Sequence, residues 1–243
     1  MKNKIWIVGM GPGEESQMTG KALSVLENSD VIIGYNVYLD LLGERFSGKE
    51  MLSTPMRREK ERCRMCFEKA EEGKKVAMIC SGDAGVYGMA SLLYEMQPEY
   101  PDTELEVVAG ITAANSGAAV LGAPLNHDYC VISLSDLMTP WETISKRLLM
   151  AAKGDFVIVL YNPSSHKRAD YLKKACEIME NDIEEDRACG YVENIGRKDC
   201  IAVTCTFKEL KERQVNMFTT VFIGNSNTTI ADGKLVTPRG YQV

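Results

Sequence analysis

The sequence predicts an α/β protein built as two α/β domains, 1–121 and 122–243, and three observations carry that prediction. Short apolar segments alternate with stretches of helical periodicity along the whole chain. Two of the segments, 4–8 (KIWIV) and 76–80 (VAMIC), run directly into glycine-rich turns, as strands of a parallel sheet do where a helix follows. Midway, residues 107–141 pass from an apolar strand through Gly110 and a run of small residues (Ala113, Ala114, Gly117, Ala118, Ala119), break at Gly122 and Pro124, and start a new strand at Tyr129. A strand, a close-packing helix, a Gly/Pro break and a fresh strand mark a seam between two halves, and ligands of such proteins lie along seams.

At 243 residues the chain is long for one α/β domain and ample for a core in each of two. A net charge of −6 and a pI of about 5.2 argue against a nucleic-acid surface. No apolar run approaches the roughly 18 residues of a membrane span, and Met1-Lys2-Asn3-Lys4 leads straight into a strand in place of a signal-peptide core. A cytoplasmic enzyme or binding protein with no membrane partner is expected. Eight cysteines scattered through such a chain read as reduced thiols. Cys63 and Cys66 form a lone C-x2-C; in a helix over 59–72, Cys63, Phe67 and Ala70 fall on one face, which is core spacing rather than a metal site. With His127 and His166 the only histidines, a His-rich metal site is excluded and no metal is expected; His127 reads as a capped structural histidine.

In chain order, the first strand ends in Gly9-Met10-Gly11-Pro12-Gly13, a tight turn with bare backbone that a ligand can approach, or a plain βα turn. It is neither a Walker loop nor G-x-G-x-x-G, since Glu14 stands where the third glycine would be, and the strand 30–33 ends in Gly34-Tyr35 without the acid that holds a ribose. Both features argue against NAD, and Glu14 and Glu15 would repel a polyphosphate. Residues 19–28 form a helix capped by Thr19, with Ala22, Leu23 and Leu26 inward. The helix after residue 54 starts with Arg57, Arg58, Lys60, Arg62 and Arg64, which read either as a solvated face paired at i,i+4 or as a clamp for carboxylates. The strand 76–80 ends in Ser81-Gly82-Asp83-Ala84-Gly85-Val86-Tyr87-Gly88, so this loop should open on the same edge as 9–13. Asp83 there either binds a ligand or caps the next helix. The strand 104–108 adds a third loop, Gly110-Ile111-Thr112-Ala113.

In the second half, strands are expected at 129–134, 155–160, 190–193, 201–207 and 217–223, the last ending in Gly224-Asn225-Ser226. Helices are expected at 140–152, capped by Thr139 with Pro140 in the first turn, and at 166–179. There is no G-x-S-x-G elbow and no other constellation that makes a nucleophile. Chemistry that only holds two molecules in line, such as group transfer from an activated cofactor, suits this set of residues.

The strand followed by GMGPG, the SGDAGVYGMA and GITAAN loops, GAPLNHDYCVISLSDLMTPWE, LYNPSSHKR and MFTTVFIGNS with TPRGY together resemble the precorrin-3B (cobalt-factor III) C17-methyltransferases, a branch of the tetrapyrrole methylases, over residues 5–241. The resemblance implies two α/β domains with S-adenosylmethionine (SAM) in the cleft between them, a tetrapyrrole substrate and a homodimer. It implies a corrin-biosynthesis enzyme that methylates C17 with ring contraction; methylation at another corrin position, or a non-catalytic tetrapyrrole-binding protein, are the alternatives. Matched residue by residue, it places Pro12, Gly82, Asp83, Val86, Thr112, Ala113, Tyr161, Ile195 and Ser226 at the cofactor. The implied substrate is rich in acetate and propionate groups, which makes Arg57, Arg58 and Arg62 the expected substrate contacts. Ring contraction moves protons, and Asp136 first, then Tyr35, are the expected participants; the alternative for Asp136 is a cap on the helix near Pro140.

Overall fold

A computed structural model describes residues 3–165 and 167–242; the expected helix start at His166 lies outside the described residues. The chain forms two compact units, Met1–Ala113 and Ala114–Val243. The division falls at the start of the helix that the sequence reading had assigned to the first domain.

The first unit contains β1 (Asn3–Gly9), α1 (Gly20–Asn28), β2 (Val31–Tyr35), α2 (Asn36–Leu39), β3 (Glu50–Thr54), α3 (Glu59–Glu71), β4 (Val76–Cys80), α4 (Ala90–Met96) and β5 (Thr103–Val108). Its five strands are all parallel, in the order β3-β2-β4-β1-β5. Period-two alternation divides the core between two faces. Ile5, Ile7, Ile33 and Met78 meet Cys63, Phe67 and Leu93 of α3 and α4, while Val8, Ile32 and Ile79 meet Ala22 and Leu26 of α1. Thr19 caps α1 as expected, its hydroxyl accepting the Ala22 N–H at 3.1 Å. Leu23 is only half-buried.

The second unit comprises α5 (Ala113–Leu121), β6 (Gly122–Ala123), β7 (Tyr129–Ser133), α6 (Trp141–Lys153), β8 (Val157–Tyr161), α7 (Tyr171–Met179), β9 (Ala188–Glu193), β10 (Ile201–Thr206), α8 (Phe207–Lys211), β11 (Thr219–Ile223), β12 (Thr229–Ala231) and β13 (Lys234–Val236). Its main sheet, β10-β9-β11-β8-β7, is mixed: only β7 and β8 pair in parallel. Helices α6, α7 and α8 cover one face through Ile144, Leu148, Leu172, Cys176 and Leu210. On the other face α5 approaches so closely that a Cβ on Gly117 would sit 2.8 Å from the Phe222 ring, which is why a run of small residues is needed there. Thr139 does not cap α6; Pro140 occupies the cap without a side-chain bond, since a proline ring has none to offer. Asp155 has φ 53° and turns into β8 rather than belonging to it. The small sheet β12-β13-β6 has strands of two or three residues, too short to leave a periodic pattern.

No helix among the described residues is long and apolar enough to cross a membrane. Seven cysteines are buried or half-buried and Cys200 is exposed. Burial pushes the Cys63 thiol up to about 12 and that of Cys66 well above its usual value, which fits the packing role read from their spacing.

Candidate functional site

Because β4, β1 and β5 are adjacent and parallel, their carboxyl ends bring the three glycine loops together on one edge of the first unit. Gly11 and Gly82 form a reciprocal backbone bridge, Gly11 N–H to Gly82 O at 3.0 Å and Gly82 N–H to Gly11 O at 2.7 Å. Asp83 joins the third loop: its Oδ2 accepts the Gly110 N–H at 2.9 Å and its Oδ1 the Gly85 N–H at 2.8 Å. Asp83 is therefore not the cap of α4, where Met89 sits, but a brace between loops.

The glycines have different reasons to be glycine. A Cβ on Gly110 would lie 2.2 Å from Gly82 O, and one on Gly9 would lie 2.6 Å from Gly110 N, so these two permit the loops to touch. Gly82 has room, with its nearest neighbours, Ala113 N and Thr112 Cα, at 3.6 Å; its requirement is a φ of +68°. The loop that begins at Gly9 was expected to open on the site; that Gly9 itself lets the loops touch was not expected. Pro12, Gly82, Asp83, Thr112 and Ala113 thus gather on this edge, Pro12 buried behind Gly11 and Val86 partly exposed beyond Asp83. The stretches 9–13, 81–88 and 109–113 contain no lysine or arginine. Such a cradle offers backbone groups and apolar surface, and suits a cofactor without phosphates.

The carboxyl ends of β2 and β3 lie on the same edge. Tyr35 meets Tyr38 edge-on at 5.3 Å, and the Arg62 guanidinium lies 5.8 Å from the Tyr35 ring. Arg62 is 5% exposed and donates to Thr54 Oγ1 at 3.0 Å and to the carbonyls of Thr54 and Pro55, each at 3.2 Å. It fastens the turn after β3 to α3, and its burial among these oxygens corrects the expectation that it contacts the substrate. Arg58 is exposed and pairs with Glu61 one turn on, and Arg57, with φ 68°, is exposed beside it.

In the second unit, Asp136 follows β7 and does not cap α6. Its Oδ2 accepts the Tyr171 hydroxyl at 2.6 Å, and its Oδ1 takes Arg168 Nη1 at 3.3 Å. Arg168 also donates to Ser135 Oγ at 2.8 Å and Ser165 Oγ at 3.1 Å, and the Trp141 and Tyr171 rings lie 4.6 Å apart. The Tyr171 hydrogen bond foremost, with help from Arg168, holds the Asp136 carboxyl below the usual range against the opposing effect of burial; the same bond raises Tyr171. Arg168 and Tyr171 were not foreseen, since no motif links residues more than thirty positions apart.

Tyr161 ends β8, and its hydroxyl accepts the Ala114 N–H at 2.7 Å, fixing the first turn of α5 directly after the Thr112-Ala113 pair. Ile195 is buried, its Cδ1 3.1 Å from the place of a Cβ on Gly117 of the same helix. Ser226 is placed elsewhere. Its N–H and hydroxyl bond the Asp155 carboxylate at 2.7 and 2.5 Å, before β8 begins, so the length of that strand separates it from Tyr161. Burial would raise the Asp155 carboxyl, but Ser226 and Arg187 together hold it below the usual range. His127 is exposed and lines an open hollow of about 390 Å³ with Leu125, Asn126, Asp128 and Arg239.

A parallel sheet covered on both faces, with three glycine loops free of lysine and arginine at its carboxyl edge, followed by a mixed-sheet unit with a paired carboxylate, makes this a two-unit α/β protein. The chain belongs to the tetrapyrrole (corrin/porphyrin) methylases, whose family pattern it matches over residues 4–211. It is 42% identical over its whole length to the cobalt-factor III methyltransferase of Priestia megaterium and spans 46% of that protein. It is 40% identical to the probable cobalt-factor III C(17)-methyltransferase of Salmonella typhimurium, covering 97% of this chain and 98% of that one. A crystal structure of the methyltransferase CobJ superposes with a TM-score of 0.89 at 33% identity, over 97% of this chain and all of the other.

Proposed function

We propose that the protein is a SAM-dependent C-methyltransferase of corrin biosynthesis that methylates C17 of precorrin-3B or cobalt-factor III with ring contraction, acting in the cytoplasm as a homodimer. The observation that carries the reading is the joining of the 9–13, 81–88 and 109–113 loops through Asp83 and the close-packed glycines, in a chain this similar to C17-methyltransferases. SAM supplies a sulfonium methyl that is already activated. The three loops would hold it through backbone groups, with no basic side chain present that would favour a phosphate-bearing cofactor in its place. Arg57 and Arg58 would meet substrate carboxylates, for which an exposed planar fork is suited. Asp136, kept ionised by Tyr171 and Arg168, would accept a hydrogen bond or a proton beside the macrocycle during contraction.

Incubation with SAM and cobalt-factor III, followed by assay of S-adenosylhomocysteine and NMR of the product, tests this. A new methyl at C17 with a contracted ring is expected. A methyl at another position, or no S-adenosylhomocysteine from folded protein that binds the macrocycle, would overturn it.

A further inference from the structure

We propose that Arg197 is a carboxylate anchor for the macrocyclic substrate; the proposal rests on the corrinoid reading above. After β9 the chain turns through Asn194 (φ 53°) and Gly196 (φ 68°), and the turn is closed by Arg197 N–H to Asn194 O at 3.0 Å. Asn194 N–H in turn donates to Phe218 O at 3.1 Å, which joins this turn to the one before β11. The Arg197 guanidinium lies 4.7 Å from the centre of the Phe218 ring, and its Nε is shielded from solvent without an acceptor among the described residues.

Two acids stand within a few positions, and neither is its partner. Glu193 accepts from Asn216, and Asp199 accepts Asn194 Nδ2 at 2.7 Å. Arg45, Arg58, Arg168 and Arg187, by contrast, each sit against a carboxylate. Arg197 as a whole is half-buried, so its guanidinium is within reach of a ligand, while its Nε is closed to solvent and lacks an acceptor; a shielded donor without an acceptor is unfavourable and calls for a group that supplies one. The guanidinium is held against the Phe218 ring, and the acceptor that best matches an arginine fork is a planar carboxylate.

The location agrees with an extended acidic ligand. Glu193 pairs with Thr219, and Ser133 with Tyr161, so the turn bearing Arg197 and the segment bearing Asp136 leave the same edge of one sheet. From β9 to β7 that edge crosses three strand spacings, about 14 Å. A single carboxylate ligand would not need such a span, whereas a broad ring bearing acetates and propionates would reach both ends.

The test titrates the wild type, Arg197→Gln and Arg197→Lys with cobalt-factor III and with its fully methyl-esterified form, following the macrocycle's absorbance; SAM binding is measured by calorimetry. For Arg197→Gln, affinity for the free acid should fall about ten- to a hundredfold. The ester should bind both proteins alike, the lysine variant should fall between, and SAM affinity should not change. Equal free-acid affinity in the wild type and Arg197→Gln would overturn the proposal. So would a loss confined to SAM binding, or a lower melting temperature with both affinities intact, which would make Arg197 a packing partner of Phe218. A folded wild type that binds no macrocycle would instead remove the functional reading on which the proposal stands.

Discussion

Asp83 and Gly110 lie 27 positions apart in sequence, yet the carboxylate of one accepts the N–H of the other at 2.9 Å. This bond ties the end of β4 to the end of β5 across β1. Asp83→Ala would leave the Gly110 and Gly85 N–H groups without acceptors, and SAM affinity is expected to fall by about 1–3 kcal/mol. Asp83→Asn keeps one acceptor oxygen and should retain part of the affinity. Calorimetric titration with SAM checks both.

The loop glycines should separate by mechanism. Gly110→Ala places a methyl 2.2 Å from a backbone oxygen, and a loss of about 3 kcal/mol in stability is expected, with SAM binding abolished. Gly82→Ala has space and suffers only its left-handed φ, at a cost of about 1–2 kcal/mol. A branched side chain in Gly82→Val adds bulk beside Thr112 and Ala113 and should remove SAM binding from a folded protein. Thermal unfolding and calorimetry of the three variants give the ranking.

Arg62 and Arg58 should behave oppositely. Arg62→Ala removes the donors to the Thr54 and Pro55 carbonyls in a buried setting and should destabilise by about 1–3 kcal/mol. Arg58→Ala should leave stability within about 1 kcal/mol, because its pair with Glu61 is exposed, while raising the apparent KM for the macrocycle. Denaturant melts and steady-state kinetics on both proteins separate the two roles.

Asp136 has a lowered folded pKa, so its pairing stabilises the protein above the ordinary carboxylate value and that contribution disappears as pH falls through the lowered one. Tyr171→Phe removes the main cause and should move the acid limb of the activity profile to higher pH. If Asp136 serves contraction, Asp136→Asn should yield C17-methylated product with the ring uncontracted, visible by mass spectrometry and NMR.

The sequence was most informative where a single residue type has a single physical reason. Glycines at strand ends located the three loops, short apolar runs located four of the first unit's five strands while the edge strand β3 was missed, and the small residues of 113–119 announced a helix pressed against its sheet. It was least informative about partners. Nothing near Arg62 in the sequence distinguishes it from Arg58, yet one faces Thr54 and the other solvent: Arg62 lies within α3 on its buried side, whereas Arg58 sits at the cap before the helix with non-helical backbone. Tyr171 and Arg168 reach Asp136 only through the pairing of β7 with β8 and the packing of α7, which no local pattern records. Ser226 looked like a loop residue near the cofactor; the antiparallel direction of β11 carries it to the other end of β8.

The distribution of thiols has a practical consequence. Burial raises the side chains of Cys80, Cys130 and Cys205 to about 11 and those of Cys63 and Cys176 to about 12, which leaves them almost wholly protonated and sheltered at neutral pH. Cys200 alone is exposed, and its N–H donates to the carbonyl of Arg197 at 3.1 Å. A maleimide dye added to the unaltered protein should therefore attach at one position, within the turn that carries Arg197, and its fluorescence would report on that turn without any residue being replaced.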